Sequence, residues 1–174
     1  MKVHLEWVMQ IHQCSLLVNM RKKVSRFKSQ SYKQGQYRPV NSKKYKGKGN
    51  PEYRSSWELK FFKWCDKNPN VLRWGSETVI VPYISPVDNK LHRYFVDNIV
   101  TIKENNIIKT YLVEIKPLKQ TQPPIASKRK KKSTILYEQY TYAVNQAKWA
   151  AARKFAETKK LEFIILTEKE LFNK

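Results

Sequence analysis

The sequence predicts an α/β fold: a mixed β-sheet of about four strands flanked by helices, with a basic N-terminal arm in front of it. Three patterns carry that expectation. Apolar residues at Trp57, Phe61, Trp64 and Cys65 repeat with the period of a helix that buries one stripe. Two arms rich in β-branched and aromatic residues, residues 94–100 and 111–115, lie on either side of Asn105-Asn106, which tolerates the left-handed backbone of a tight turn. A long Ala-rich helical pattern then leads into the apolar run 161–167, and a strand–helix–strand unit requires a right-handed crossover with parallel pairing. Antiparallel hairpin and parallel crossover together make the sheet mixed.

The chain has 174 residues, 41% of them hydrophobic and 13% aromatic, which suits one domain with a single core, placed at residues 51–174. Its charge is the outlying property: 35 Lys+Arg against 14 Asp+Glu leaves +21. Such an excess favours a polyanionic partner through phosphate neutralisation. Ribosomal and membrane-surface proteins share the sign, so charge alone does not select an enzyme. Cys14 and Cys65 are too few for a disulfide framework and stand in no His/Cys cluster that would hold zinc, which fits a reducing cytoplasm.

Residues 1–50 read as a flexible basic arm. In residues 1–19 the apolar pattern is interrupted by His4, Glu6, His12 and Gln13, so no signal core or membrane span forms there. Two readings stay open for that segment: a short helix, or an upstream extension of a chain that begins at Met20. From Arg21 to Lys48 there are eleven basic residues and no acidic one, with Tyr32, Tyr37 and Tyr45 interleaved. Such a stretch buries too little apolar surface to offset its ordering entropy. It is a nucleic-acid arm or a solvated tail.

In the first helix, Ser55-x-x-Glu58 has the spacing of a capping box. Asn68-Pro69-Asn70 ends the helix, and residues 78–83 read as a strand whose Pro82 confines it to an edge or a bulge. A loop through Asp88 leads to the hairpin, with His92 close before its first arm. After Pro117 and Pro123-Pro124 come Lys128, Arg129, Lys130, Lys131 and Lys132, a self-repelling run expected in a flexible loop against a DNA backbone or simply in water. Ser133 or Thr134 caps a long helix with its stripe at Leu136, Tyr140, Ala143, Ala147, Ala150, Ala151 and Phe155. Lys148 flanks that stripe and either snorkels or reaches the hairpin. A final strand and a short helix over residues 168–173 close the chain.

The chemistry sits on the hairpin. Alternation puts Leu112, Glu114 and Lys116 on one face of their strand and Val113 and Ile115 on the other. Asp97 lies among Phe95, Val96, Ile99 and Val100, where an unpaired carboxylate is costly, so it needs a partner, and a metal ion is one.

An Asp followed at a distance by Glu-x-Lys on a hairpin resembles the PD-(D/E)xK nuclease superfamily, with Val96 in place of the Pro that usually precedes the Asp. Residues 53–172 look most like the head-completion nuclease family of T-even-type tailed phages and, more distantly, the transposon end-cleaving nucleases. The likeness rests on Arg54-Ser55-Ser56-Trp57-Glu58, Phe95-Val96-Asp97, Val113-Glu114-Ile115-Lys116-Pro117, Asn145-Gln146-Ala147-Lys148-Trp149 and Leu166-Thr167-Glu168. The resemblance implies a restriction-endonuclease-like core and a Mg²⁺-dependent DNA endonuclease, with Mn²⁺ as a substitute ion. It further implies metal ligation by Asp97, Glu114 and Glu58 with the Ile115 carbonyl, and an attacking water oriented by Lys116. Lys128, Arg129, Lys130, Lys131, Lys132, Lys148 and Arg54 are the expected DNA contacts. For Glu58 the capping role and the metal role are both open. The implied setting is the host cytoplasm and the virion head vertex, with DNA and phage head or portal proteins as partners and no membrane. The alternative is a non-catalytic structural protein that binds a DNA end or the portal.

Overall fold

The computed structural model describes residues 34–125, 127 and 130–172. They form β1 (Gly35–Gln36), β2 (Glu52–Tyr53), α1 (Ser56–Lys67), β3 (Val71–Ile84), β4 (Leu91–Glu104) and β5 (Ile107–Ile115). After these come α2 (Leu118–Thr121), α3 (Lys132–Thr158), β6 (Glu162–Leu166) and α4 (Glu168–Phe172). The main sheet has the order β3-β4-β5-β6. Its first two pairings are antiparallel and β5–β6 is parallel, so the predicted mixed sheet of four strands is present. β4 and β5 join at Asn105 and Asn106, whose φ values of 46° and 65° are the left-handed pair that this turn demands.

β3 begins at Val71, well before the predicted start at residue 78. Arg73, Gly75, Ser76 and Glu77 break the apolar alternation there, but backbone pairing to β4 and the buried Trp74 side chain hold the strand. Pro82 lies opposite Arg93 in this edge strand, where its missing N–H costs nothing.

The sheet separates two apolar clusters. Under α1, Phe61, Phe62 and Cys65 pack on Trp74, Val100, Ile102, Tyr111 and Val113. Under α3, Trp149, Ala152 and Ala156 pack on Val81, Tyr94, Val96, Leu112 and Phe163. The α3 stripe has the expected period but a different phase. Its fully buried row is Asn145, Trp149, Ala152 and Ala156, with Ala147, Ala151 and Phe155 of the expected stripe packed beside it, whereas Leu136 and Tyr140 are 68% and 51% exposed. Alanines on several sides of a helix leave the phase open to sequence reading, and the bulky Trp149 decides it by filling the sheet surface. Nor do Ser133 and Thr134 cap α3: the helix starts at Lys132 and its N-cap, Lys131, makes no side-chain cap bond.

Residues 34–50 pack on the core, in part through a buried acid near the end of α1 and in part through backbone bonds of Lys44 and Lys46 with Trp74. Asp66 accepts hydrogen bonds from the Tyr37 hydroxyl (2.8 Å), the Val40 amide (2.7 Å) and the Asn41 amide (2.9 Å). Lys44 Nζ donates to the Asn68 carbonyl at 2.7 Å, and the Tyr45 ring lies 4.7 Å from that of Trp74. Charge composition marked this stretch as an arm; tertiary hydrogen bonds to Asp66 tie it down. Asp66→Ala strands the buried Tyr37 hydroxyl and removes the acceptor of two further amides, and should destabilise the fold by roughly 1–3 kcal/mol in urea unfolding. A variant as stable as wild type would show that the segment holds by its backbone bonds to Trp74, the Lys44–Asn68 bond and its aromatic contacts. The earlier part of the predicted arm, residues 1–33, lies outside the described residues.

Candidate active site

Pairing between β4 and β5 runs from Glu104↔Ile107 to Asn98↔Val113 and stops there. At this point β4 changes the face it gives to each cluster. Tyr94 and Val96 lie under α3, while Val100 and Ile102, of the same parity, lie under α1. The change adjoins a register shift between β3 and β4 at Ser76/Val79, where Glu77 has φ 52°. Asp97 stands in the gap. Its Oδ2 accepts the Ile115 amide at 2.9 Å, so a side chain takes up the donor that a continued ladder would have paired.

Glu114 projects on the same side as Leu112, as alternation predicts, and is buried. Its Oε2 accepts the Tyr94 hydroxyl at 2.5 Å, and its Oε1 lies 3.1 Å from Lys116 Nζ. Lys116 Nζ is also 3.8 Å from Asp97 Oδ2. The three residues singled out on the hairpin are therefore brought together: two carboxylates with one ammonium between them. Burial, then the Glu114 charge, push the Asp97 carboxyl up to about 7. Burial works against the Lys116 ammonium, but Asp97 and Glu114 outweigh it and hold its pKa above the ordinary lysine value. Burial and the adjacent Glu114 raise the Tyr94 hydroxyl, which keeps its proton and remains a donor.

Glu58 occupies its capping role. Its amide donates to Ser55 Oγ (3.1 Å), and its Oε2 accepts the Arg54 amide (2.9 Å). It is nonetheless near enough to the hairpin that its charge raises both Asp97 and Lys116. Among the described residues no three His, Cys, Asp or Glu side chains are grouped closely enough to hold a metal ion. The donor set at the hairpin is two carboxylates, and each has one oxygen fixed by a neutral protein donor: Asp97 by Ile115 N–H, Glu114 by Tyr94. Ile115 thus contributes its amide to the site's architecture.

The expected DNA contacts are more scattered. Arg54 pairs with Glu77 at 2.8 Å on the surface, and Lys130 pairs with Glu138 at 2.6 Å. Lys131 and Lys132 are exposed at the start of α3, so the basic run is not a free loop throughout. Lys128 and Arg129 lie outside the described residues. Lys148 neither joins the carboxylates nor simply snorkels: its Nζ stands over the rings of Tyr83 (5.8 Å) and Tyr94 (5.7 Å). His92 pairs with Asp88 at 2.9 Å near the turn between β3 and β4, a turn-stabilising role. Sequence reading missed Tyr94, because a residue three before Asp97 should point away from it in a regular strand. Only the change of face across Asp97-Asn98 brings the hydroxyl to Glu114.

Residues 68–168 match the family described as TnsA-like endonuclease N terminal. Over 140 residues the chain is 41% identical to the head completion nuclease of Enterobacteria phage T4, a similarity covering 77% of this chain and 90% of that relative. The family match runs from the C-cap of α1 to the first residue of α4, taking in Asp97, Glu114, Lys116 and Lys148 and leaving Glu58 and Arg54 outside. Fold, hairpin constellation and similarity agree, and the chain belongs to the TnsA-like endonuclease family.

Proposed function

We propose that this endonuclease hydrolyses phosphodiester bonds in DNA with Mg²⁺ as cofactor and acts in phage head completion, processing or guarding the packaged DNA end before tail attachment. The carrying observation is the pair Asp97 and Glu114, side by side on diverging strands with Lys116 Nζ as their shared counter-charge. The name of the T4 relative supports the setting at the head. The restriction-endonuclease-like arrangement of the sheet supports the chemistry.

The donors fit a hard divalent ion. They are oxygens only, and the raised Asp97 carboxyl reports two buried acids with less positive charge around them than they need. Asp97 and Glu114 would hold the ion with the Ile115 carbonyl, and Glu58 would join the set only on leaving its cap. Bound Mg²⁺ supplies Lewis acidity at the scissile phosphate, and Mn²⁺ can replace it. Lys116, held as an ammonium by the two carboxylates, orients the attacking water. Lys128, Arg129, Lys130, Lys131, Lys132, Lys148 and Arg54 serve the DNA backbone, and the exposed pair that now holds Arg54 is weak enough for phosphate to displace. None of these residues reads base edges by any recognisable pattern, so cutting follows DNA structure, an end or a partner protein.

The test is cleavage of supercoiled and linear plasmid in Mg²⁺, in Mn²⁺ and in EDTA. Cutting with either ion and none in EDTA is expected. DNA binding with steep salt dependence but no cutting under any condition would replace the enzyme with a DNA-end or portal plug.

A further inference from the structure

We propose that Tyr94 is a positioning residue for Glu114: its hydroxyl locks the carboxylate so that Oε1 is the oxygen presented to a divalent cation. This rests on the metal-dependent reading of the site given above.

Glutamate's terminal torsion is broad and roughly two-fold, so a free carboxylate exchanges its oxygens and tilts. Glu114 is not free to do so. Oε2 is held by the Tyr94 hydroxyl, and the side chain is too buried for water to replace that donor. Asp97 is oriented differently, by the backbone amide of Ile115. Of the two carboxylates beside Lys116, Glu114 takes its fixed orientation from another residue's neutral side chain. The Tyr94 ring is itself secured: it is buried in the cluster under α3, lies opposite Val81 in the β3–β4 ladder, and carries Lys148 Nζ above it at 5.7 Å. A rigid phenol on a packed strand is the kind of support that keeps a metal-binding carboxylate in one geometry.

Tyr94→Phe deletes the hydroxyl and keeps the ring, the packing and the lysine contact. The neighbouring Tyr83→Phe makes the same chemical change on the other ring beneath Lys148, which has no bond to Glu114. The probe is Mn²⁺ alone, titrated calorimetrically without DNA. Tyr94→Phe is expected to weaken Mn²⁺ binding by about 10–100-fold, the range for losing a group that orients a ligand. Tyr83→Phe should leave binding at the wild-type level. Cleavage by Tyr94→Phe should fail at low Mn²⁺ and recover as the ion is raised, which a general packing defect would not do. In a Glu114→Ala background Tyr94→Phe should change Mn²⁺ affinity no further, and this comparison holds even where the hydroxyl also supports the fold. Wild-type Mn²⁺ affinity in Tyr94→Phe, or an equal loss in the Glu114→Ala background, overturns the role of Tyr94. Absence of Mn²⁺ binding by the wild-type protein overturns the metal reading of the site, and this role with it.

Discussion

Lys116→Met is expected to lower DNA cleavage by about 10²-fold or more, the range for losing a group that positions a reactant, while DNA binding persists. Methionine keeps the unbranched apolar stem and removes only the ammonium, which stands 3.1 Å from Glu114 Oε1 and 3.8 Å from Asp97 Oδ2. Two roles for that ammonium make opposite forecasts. As a mere counter-charge for the carboxylates it would be replaceable by any cation, and excess Mg²⁺ would restore cutting. As the group that orients the attacking water it is irreplaceable, and cutting stays low at every Mg²⁺ concentration even though the site, one positive charge poorer, binds the ion at least as well. Single-turnover nicking of supercoiled plasmid across a Mg²⁺ series decides between them. Full rescue by metal would remove Lys116 from the chemistry.

Asp97→Asn should abolish cutting and yet stabilise the metal-free protein at pH 8. The folded state raises the Asp97 carboxyl from 3.8 to about 7, so it binds that proton more tightly than the unfolded chain does. Stability from this group therefore falls as pH rises through that interval. Above it, the wild type carries a buried charge that the fold disfavours. Asparagine removes the charge, and its amide oxygen can still accept the Ile115 N–H. Urea unfolding in EDTA should show the variant ahead by roughly 1–3 kcal/mol at pH 8, with the gap closing toward pH 4. Saturating Mg²⁺ should reverse the order, because the ion stabilises only the chain that binds it, by about 4.1 kcal/mol at a thousandfold excess over Kd. A variant less stable than wild type at pH 8 without metal would mean that the Asp97 charge supports the fold, and the site would then be built on an ion pair with Lys116.

The hairpin was legible in the sequence because its determinants are local. Asn105 and Asn106 adopt the left-handed turn that their side chains tolerate, and period-two alternation places Glu114 with Leu112 whatever else packs nearby. The mixed sheet followed from the strand–helix–strand order, since chirality leaves few ways to join parallel strands. Glu58 was legible as a cap for the same reason: Ser55-x-x-Glu58 is satisfied within one turn of chain. What sequence alone determined about this protein is thus its main helices and strands, their order and the hairpin that carries Asp97, Glu114 and Lys116. Tertiary structure decided the rest. The phase of α3 depends on Trp149 meeting the sheet, and the ordering of residues 34–50 depends on Asp66 collecting donors from segments far away in the chain. Tyr94 reaches Glu114 because β4 changes face beside Asp97, a break in periodicity that no window on one strand reveals. Local periodicity constrains dihedral angles and faces; contacts between distant segments are fixed by packing and by the need to satisfy buried donors and charges, and those conditions exist only once the chain has folded.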